Sequence, residues 1–458
     1  MARQAFPRLK GFRDFPPDAL ARREKIFSAW RAVAGRYALS EYDGPPLESL
    51  DLYVEKSGPE IVSQLYTFKD KGGRDVTLRP EMTPSLARIL AERSRALPKP
   101  IRWFSIPQLF RYERQQRGRL REHYQWNVDI VGEPGAGADA EVIAVAVEGL
   151  CELGLTEVDF TVRLSHRQLL TAVLTAFGVV DGARWKAMAV IDKLARRPRA
   201  DSLRDLVEET GLAPDEAREL VELLGSPDAL RAVEDFLERH GGGDDTEGPA
   251  TALATLDECL GRLRSLGLAR FVTVDLSIVR GLDYYTGIVF ELFDVKGELR
   301  AICGGGRYDR LLELVGGEPL PAVGFGMGDV VLRELLADRG LDGGGEAGTD
   351  FALIVIPDSG KADRWSATRE AALAAAALLR SRGCSVSYAL RDLSPAKQMK
   401  AAQRAGARMA VSIGPAELEA GTVRLRDLRS REEASLPLLE VAEFADDPEI
   451  LSERVRRG

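Results

Sequence analysis

Residues 167–266 read as helix almost from end to end, and short β-rich runs stand on both sides of them. The runs before the block are 101–105, 107–112, 123–131 and 157–163. Those after it are 270–278, 286–294 and 299–303, leading into V323-G-F-G-M-G328. Few architectures accept strands, a long helical run and then strands again. The order predicts an α+β core, an antiparallel sheet assembled from both flanks with the helices as an insertion. A glycine-rich loop, 241–249, interrupts the helical block. Helical spacing also marks 82–93, 138–153 and 18–39, the last behind a Pro16-Pro17-Asp18 start signal.

The texture changes after G340-L-D-G-G-G-E-A-G-T349, a glycine-rich linker. Strand patterns at 350–356, 385–390 and 407–413 then alternate with helical patterns at 364–382 and 395–405, which predicts a compact α/β domain. The expected organisation is a core at 1–166 and 267–339, an insertion at 167–266, a linker at 340–349 and a second domain at 350–458.

Composition excludes several classes. No apolar run approaches the length of a membrane span, and the first residues, M-A-R-Q-A-F-P-R, lack a signal core. Cys151, Cys259, Cys303 and Cys384 are scattered without metal-ligand spacing, as expected of reduced cytoplasmic thiols. A net charge of −8 argues against a general nucleic-acid coat. It leaves room for a local basic patch, and R111-Y-E-R-Q-Q-R-G-R-L-R121 is the densest.

The chemistry lies in polar residues that the strand patterns turn inward. In 123–131, Tyr124, Trp126, Val128 and Ile130 fall on one side and Gln125, Asn127 and Asp129 on the other. A polar row in a buried sheet is costly unless it binds something. Gly324, Gly326 and Gly328 alternate likewise and leave one strand face bare. Their spacing matches neither GxGxxG nor GxxxxGK[ST]. T77-L-R-P-E-M-T83 presents Arg79, Glu81 and Thr83. Arg111, Glu113 and Arg119 lie on a hairpin that returns through Gln125 and Asp129. R280-G-L-D-Y-Y285 precedes a strand, and C303-G-G-G-R-Y-D309 reads as a tight glycine turn delivering Arg307 and Tyr308. Carboxylates suit a cation, arginines phosphate, and tyrosines a small polar ring. His123, His166 and His240 show no nucleophile pairing, and His166 reads as capping or packing near a helix start.

These segments, in this order, resemble the histidyl-tRNA synthetases, a class II aminoacyl-tRNA synthetase family. The matching stretches are G11-F-R-D-F-P-P17, L78-R-P-E-M-T83, F110-R-Y-E-R114 with Q125-W-N-V-D129, R280-G-L-D-Y-Y285, G304-G-G-R-Y-D309 and K397-Q-M-K-A-A-Q-R-A-G406. The resemblance implies a catalytic antiparallel sheet with an anticodon-binding α/β domain. It implies ATP-dependent ligation of L-histidine to histidine tRNA through an adenylate, with ATP as substrate, Mg2+ alongside it and a cytoplasmic homodimer whose first motif includes Pro45. By the same resemblance, Glu81, Thr83, Gln125 and Asp129 receive the histidine ammonium, and Tyr285 and Tyr308 border its imidazole. Tyr284 suits core or pocket equally. Arg111 and Arg280 are the catalytic pair on the α-phosphate and carboxylate. Glu113, Arg119, Gly326 and Gly328 complete the ATP site, and the 114–121 loop meets the tRNA acceptor end. A catalytically silent relative, the regulatory subunit of ATP phosphoribosyltransferase, shares this catalytic fold.

One departure stands out. The family's third motif ends Gly-x-Glu-Arg, whereas G328-D-V-V331 puts Val330 and Val331 in the last two places. Arg333 follows two residues later, about 200° around a helix. Adenine is then held by another arginine, or by Phe110, Arg111, Glu113 and the glycine strand without one.

Overall fold

The computed structural model describes residues 6–57, 59–194, 197–226, 228–240, 247–279, 285–343, 348–357, 367–445 and 447–457. They form two compact units, 22–343 with the N-terminal 1–15, and 344–458 with 16–21.

The strands of the first unit, in chain order, are β1 (Ser40–Glu41), β2 (Leu47–Ser49), β3 (Tyr66–Lys69), β4 (Asp75–Leu78), β5 (Ile101–Ser105), β6 (Gln108–Phe110), β7 (Glu122–Val131), β8 (Phe160–His166), β9 (Val272–Val274), β10 (Ile288–Asp294), β11 (Cys303–Arg307) and β12 (Ala322–Gly328). The main sheet runs β1-β5-β7-β12-β11-β10-β8-β9, with β6 paired to β7; a small sheet runs β2-β4-β3. Pairing in the main sheet is antiparallel except at β1–β5 and β8–β9. Helices from Arg167–Ala176 to Glu247–Ser265 lie between β8 and β9, so the sheet is indeed drawn from both flanks of a helical segment.

Alternation along each strand gives the sheet two unlike faces. Trp126, Val128 and Ile130 of β7 lie beside Met327, Phe325 and Val323 of β12. With Leu292 and Phe290 of β10 they join the main core, which includes Val142, Ala146 and Leu150 of the helix Ala136–Cys151. That helix comes close because Gly149 has no side chain: a Cβ there would stand 2.4 Å from the Trp126 ring. The opposite face carries Gln125, Asn127 and Asp129.

Several boundaries move. The run expected at 299–303 is the strand Cys303–Arg307, 270–278 shrinks to Val272–Val274, and 157–163 shifts to Phe160–His166. The tight glycine turn expected at 303–309 is therefore not a turn. Gly305 and Gly306 sit in mid-sheet, where neighbours leave no room for a side chain. A Cβ on Gly305 would meet the Gly324 carbonyl oxygen at 2.3 Å, and one on Gly306 the Ile288 carbonyl oxygen at 2.7 Å. Of the expected 241–249 loop, residues 247–249 begin the helix Glu247–Ser265 and the rest lie outside the described residues.

The second unit has β13 (Phe351–Val355), β14 (Val386–Tyr388), β15 (Met409–Ile413), β16 (Val423–Asp427) and β17 (Glu433–Leu436), ordered β14-β13-β15-β16-β17. The first three are parallel and joined through the helices Ala367–Ser381 and Pro395–Arg404, as the alternation predicts. β16 and β17 add an antiparallel edge that the sequence reading did not anticipate. Among the described residues, no helix is long and apolar enough to cross a membrane.

Candidate active site

Register sets the floor of the site. Gly324 lies beside Asp129, Gly326 beside Asn127 and Gly328 beside Gln125, while Gly304 and Gly306 of β11 pair with Gly326 and Gly324. The result is a bare platform between the polar row of β7 and Glu291 of β10, which pairs with Gly304. Its glycines admit neighbouring side chains. A Cβ on Gly324 would meet Asp129 Oδ1 at 2.2 Å, one on Gly326 the Gln125 amide at 2.6 Å, and one on Gly306 the Tyr285 ring at 2.9 Å. Gln125, Asp129 and Tyr285 thus lie across the platform. Beside Gly328 the space is open.

Two cavities stand on this floor. The smaller, about 60 Å³, is lined by Glu81, Thr83, Arg111, Gln125, Asn127, Asp129, Tyr285 and Tyr308 with the platform glycines. The larger, about 290 Å³, is lined by Arg111, Glu113, Arg119, His123, Gln125, Glu291, Arg300, Gly326, Gly328, Val330 and Val331, among others. Arg111, Gln125, Gly304 and Gly326 belong to both, so the cavities share a wall.

Each wall is held from behind. Buried Arg79 donates to the carbonyl oxygens of Gly44 at 2.6 Å and Gln108 at 3.1 Å, and to Asp43 at 2.8 Å. It fixes the turn that presents Glu81 and starts the helix Thr83–Arg93. Arg111 Nε donates to the Pro80 carbonyl oxygen at 3.0 Å, which ties the side chain to that turn. At the hairpin, Arg119 pairs with Glu113 at 2.8 Å, and Glu334 accepts from Gly118 N–H at 3.0 Å and Arg117 Nε at 3.1 Å.

The Tyr308 hydroxyl donates to Asp129 Oδ1. Burial pushes the Asp129 carboxyl up to about 7, against the opposing pull of that hydrogen bond. His123 is pushed down to about 3 by burial and by the nearby Arg111, Arg13 and Arg119, so it lines the larger cavity as a neutral ring. His166 caps the helix Arg167–Ala176, its Nδ1 accepting from Gln168 N–H at 3.3 Å, as its position suggested.

The structure thus brings together Glu81, Thr83, Arg111, Glu113, Arg119, Gln125, Asp129, Tyr285, Tyr308, Gly326 and Gly328. Arg280, Asp283 and Tyr284 lie outside the described residues. Arg307 does not join the site: it points to the other face, where Nε reaches Asp139 at 3.2 Å and Nη1 the Glu133 carbonyl oxygen at 3.1 Å. Phe110 packs on Phe12, ring centroids 6.4 Å apart. Sequence reasoning missed Arg300, a lone arginine before a strand with no pattern to mark it. It also missed the positioning role of Arg79, although Arg79 belongs to a recognised motif.

Comparisons agree along the length of the chain. The Histidyl-tRNA synthetase family matches residues 11–329, and the Anticodon binding domain family 352–447. The histidine–tRNA ligase of Opitutus terrae is 43% identical over 96% of this chain and 98% of its own. That of Halobacterium salinarum is 40% identical over 97% and 99%. The chloroplastic/mitochondrial enzyme of Arabidopsis thaliana is 39% identical over 94% and 84%. Among solved structures, the histidyl-tRNA synthetase of Nostoc sp. PCC 7120 shares the fold with a TM-score of 0.81 at 24% identity, covering 97% of this chain and 99% of that one. The apo S. aureus synthetase gives 0.70 at 25%, covering 96% and 99%. With a family match over most of its length and relatives of this identity along nearly the whole of it, the chain belongs to the histidyl-tRNA synthetase family.

Proposed function

We propose that this chain ligates L-histidine to histidine tRNA in two steps, the smaller cavity taking the amino acid and the larger taking ATP. The observation that carries this reading is the shared wall, on which Arg111 serves both cavities. A histidine carboxylate and an ATP α-phosphate meeting at that wall are the reacting pair.

Glu81, Thr83 and Gln125 receive the α-ammonium together with Asp129, and Tyr285 and Tyr308 border the imidazole. A site built to hydrogen-bond a ring that both donates and accepts rejects analogues lacking those groups. A histidine carboxylate oxygen attacks the α-phosphorus, the bond from that phosphorus to the bridging oxygen breaks, and pyrophosphate leaves. Arg111 neutralises charge on the carboxylate and phosphate, and Arg280, assigned by its motif, does so at the α-phosphorus. The 3′-terminal hydroxyl oxygen of the tRNA then attacks the carbonyl carbon, AMP leaves, and the hydroxyl proton passes to solvent. Glu113 and Arg119 bind the adenine edge and outer phosphates, and Gly326 and Gly328 leave the floor clear.

Magnesium enters with the nucleotide. Among the described residues no group of three or more acidic, histidine or cysteine side chains forms a metal cage. Phosphate oxygens plus one carboxylate are the usual magnesium set, and Glu291 lines the larger cavity. The same proposal includes a homodimer, supported by exposed Leu47 and Phe68 on the small sheet. It also includes a cytoplasmic location, which the four free cysteines fit.

Histidine-dependent pyrophosphate–ATP exchange by the purified chain, followed by charging of histidine tRNA, tests the reading. Exchange that depends on histidine supports it. Its absence under ample MgATP overturns it in favour of the regulatory role named alongside the synthetase for a Bacillus halodurans structure, which is 25% identical with a TM-score of 0.70 over 86% of this chain and 96% of that one.

A further inference from the structure

Arg300 stands just before β11 and lines the larger cavity. Its Nη2 donates to the Gln116 amide oxygen at 2.9 Å, a neutral partner on the hairpin tip, and no carboxylate pairs with it among the described residues. Five N–H donors belong to a guanidinium, so one bond to Gln116 fixes its position and leaves most of the fork available. A Cβ placed on Gly118 would lie 3.9 Å from Arg300 Cδ and 3.1 Å from Val331 Cγ2. The Arg300 stem and Val331 therefore both border Gly118. Val330 and Val331 supply no cation to this cavity, and Arg333, with them on the helix Asp329–Asp338, is exposed. A cation comes instead from the segment that leads into β11.

Arg111 and Arg119 line the same cavity. Arg119 registers the crowding: burial lowers its pKa, Glu113 opposes, and the charges of Arg300 and Arg111 lower it further. With Glu113 already engaged by Arg119 and His123 neutral, the three guanidiniums suit a multiply charged anion. The planar fork of arginine matches phosphate oxygens in pairs.

We propose that Arg300 binds ATP in this chain, gripping with Arg119 the outer phosphates that leave as pyrophosphate. The proposal rests on the reading of the larger cavity as the nucleotide site.

The test is histidine-dependent pyrophosphate exchange by the full chain and its R300A, R300K and R300Q variants, with direct titration of each by MgATP. In R300A the KM values for ATP and pyrophosphate each rise by about tenfold or more, as expected for a lost charge-assisted contact, while the KM for histidine is unchanged. R300K, which keeps the charge, recovers most of the loss, and R300Q does not. Unchanged KM values for ATP and pyrophosphate in an active R300A overturn the proposal. So does a rise for ATP alone, which assigns Arg300 to the nucleoside, or an equal rise for histidine, which makes its role structural. If the unmutated chain shows no exchange, the proposed reaction fails on its own account. The MgATP titrations then decide Arg300 separately, with tighter binding by the unmutated chain than by R300A supporting it and equal binding overturning it.

Discussion

Asp329 and Arg13 form a buried ion pair, Oδ2 to Nη1, at 2.7 Å, and the same guanidinium reaches Glu122 through Nε at 2.6 Å. Both carboxylates are almost fully enclosed. The other Asp329 oxygen accepts from Tyr124 N–H at 2.8 Å, and Glu122 also accepts from Gln108 Nε2 at 3.0 Å. The residue that follows the glycine strand thus ties the N-terminal segment to the ends of β7 and β12. The chain's departure at 329–331 combines a structural bracket with an apolar stretch of cavity wall.

Removing Arg13 leaves two enclosed carboxylates uncompensated, at a cost of roughly 3–5 kcal/mol, whereas without Asp329 the guanidinium still faces Glu122 and the cost is smaller. Asp329→Ala also leaves the Tyr124 N–H without its acceptor. A urea midpoint lowered by Asp329→Ala is expected, and lowered further by Arg13→Met, which removes the partner of both carboxylates. A single-variant loss below about 1 kcal/mol would show that the bracket contributes little.

Glycines on one strand differ in what they tolerate. Gly324→Ala drives a methyl toward the Asp129 carboxylate and the Val128 backbone oxygen, and backbone cannot step aside. A cost of about 1–3 kcal/mol is expected, along with a KM for histidine raised at least tenfold, about 1.4 kcal/mol. Gly328→Ala meets open space at φ −85°, so stability stays within about 0.5 kcal/mol. Equal destabilisation of the two variants in thermal melts would contradict this account.

Arg111 and Arg307 look alike in the sequence and part in the structure. Arg111→Ala is expected to lower exchange by about 10²–10³-fold with the melting curve unchanged. Arg307→Ala strands the enclosed Asp139 and is expected to lose stability by roughly 3–5 kcal/mol, while the folded fraction keeps its KM for ATP. Stability and exchange moving together in both variants would refute the division.

That contrast shows where the sequence was readable. Period-two alternation placed Gln125 and Asp129 on the polar face because Trp126, Val128 and Ile130 make the other face of β7 apolar there, and no other register buries Trp126 and Val128. The glycines at 304–306 misled because a turn and a crowded mid-strand both call for glycine; Tyr285 and Ile288, distant in sequence, decide between them. Once 303–307 is a strand, Arg307 and Tyr308 leave on opposite faces, and only one of them can reach the site. Arg300 carried no local signal, since its meaning comes from Gly118 and Val331, which belong to other elements.

Asp129 supplies a pH prediction. Its carboxyl titrates near 7 in the fold, raised by burial and held from rising further by the Tyr308 hydroxyl, against about 3.9 when unfolded. A raised pKa means that the folded chain holds this proton more tightly than the unfolded one. The resulting stability is complete below about pH 4 and is lost as pH rises through 7, on the order of a few kcal/mol. Asp129→Asn lacks the titration, so its stability relative to the unmutated chain should climb across that window in urea melts at successive pH. Histidine carries an ammonium that favours the ionised carboxylate. Near pH 6 its binding should therefore release a proton that Asp129→Asn does not release, as read by calorimetry in two buffers of different ionisation enthalpy. Tyr308→Phe removes the bond that lowers the pKa and should move the release to higher pH. Identical proton release by the unmutated chain and Asp129→Asn would separate Asp129 from histidine recognition.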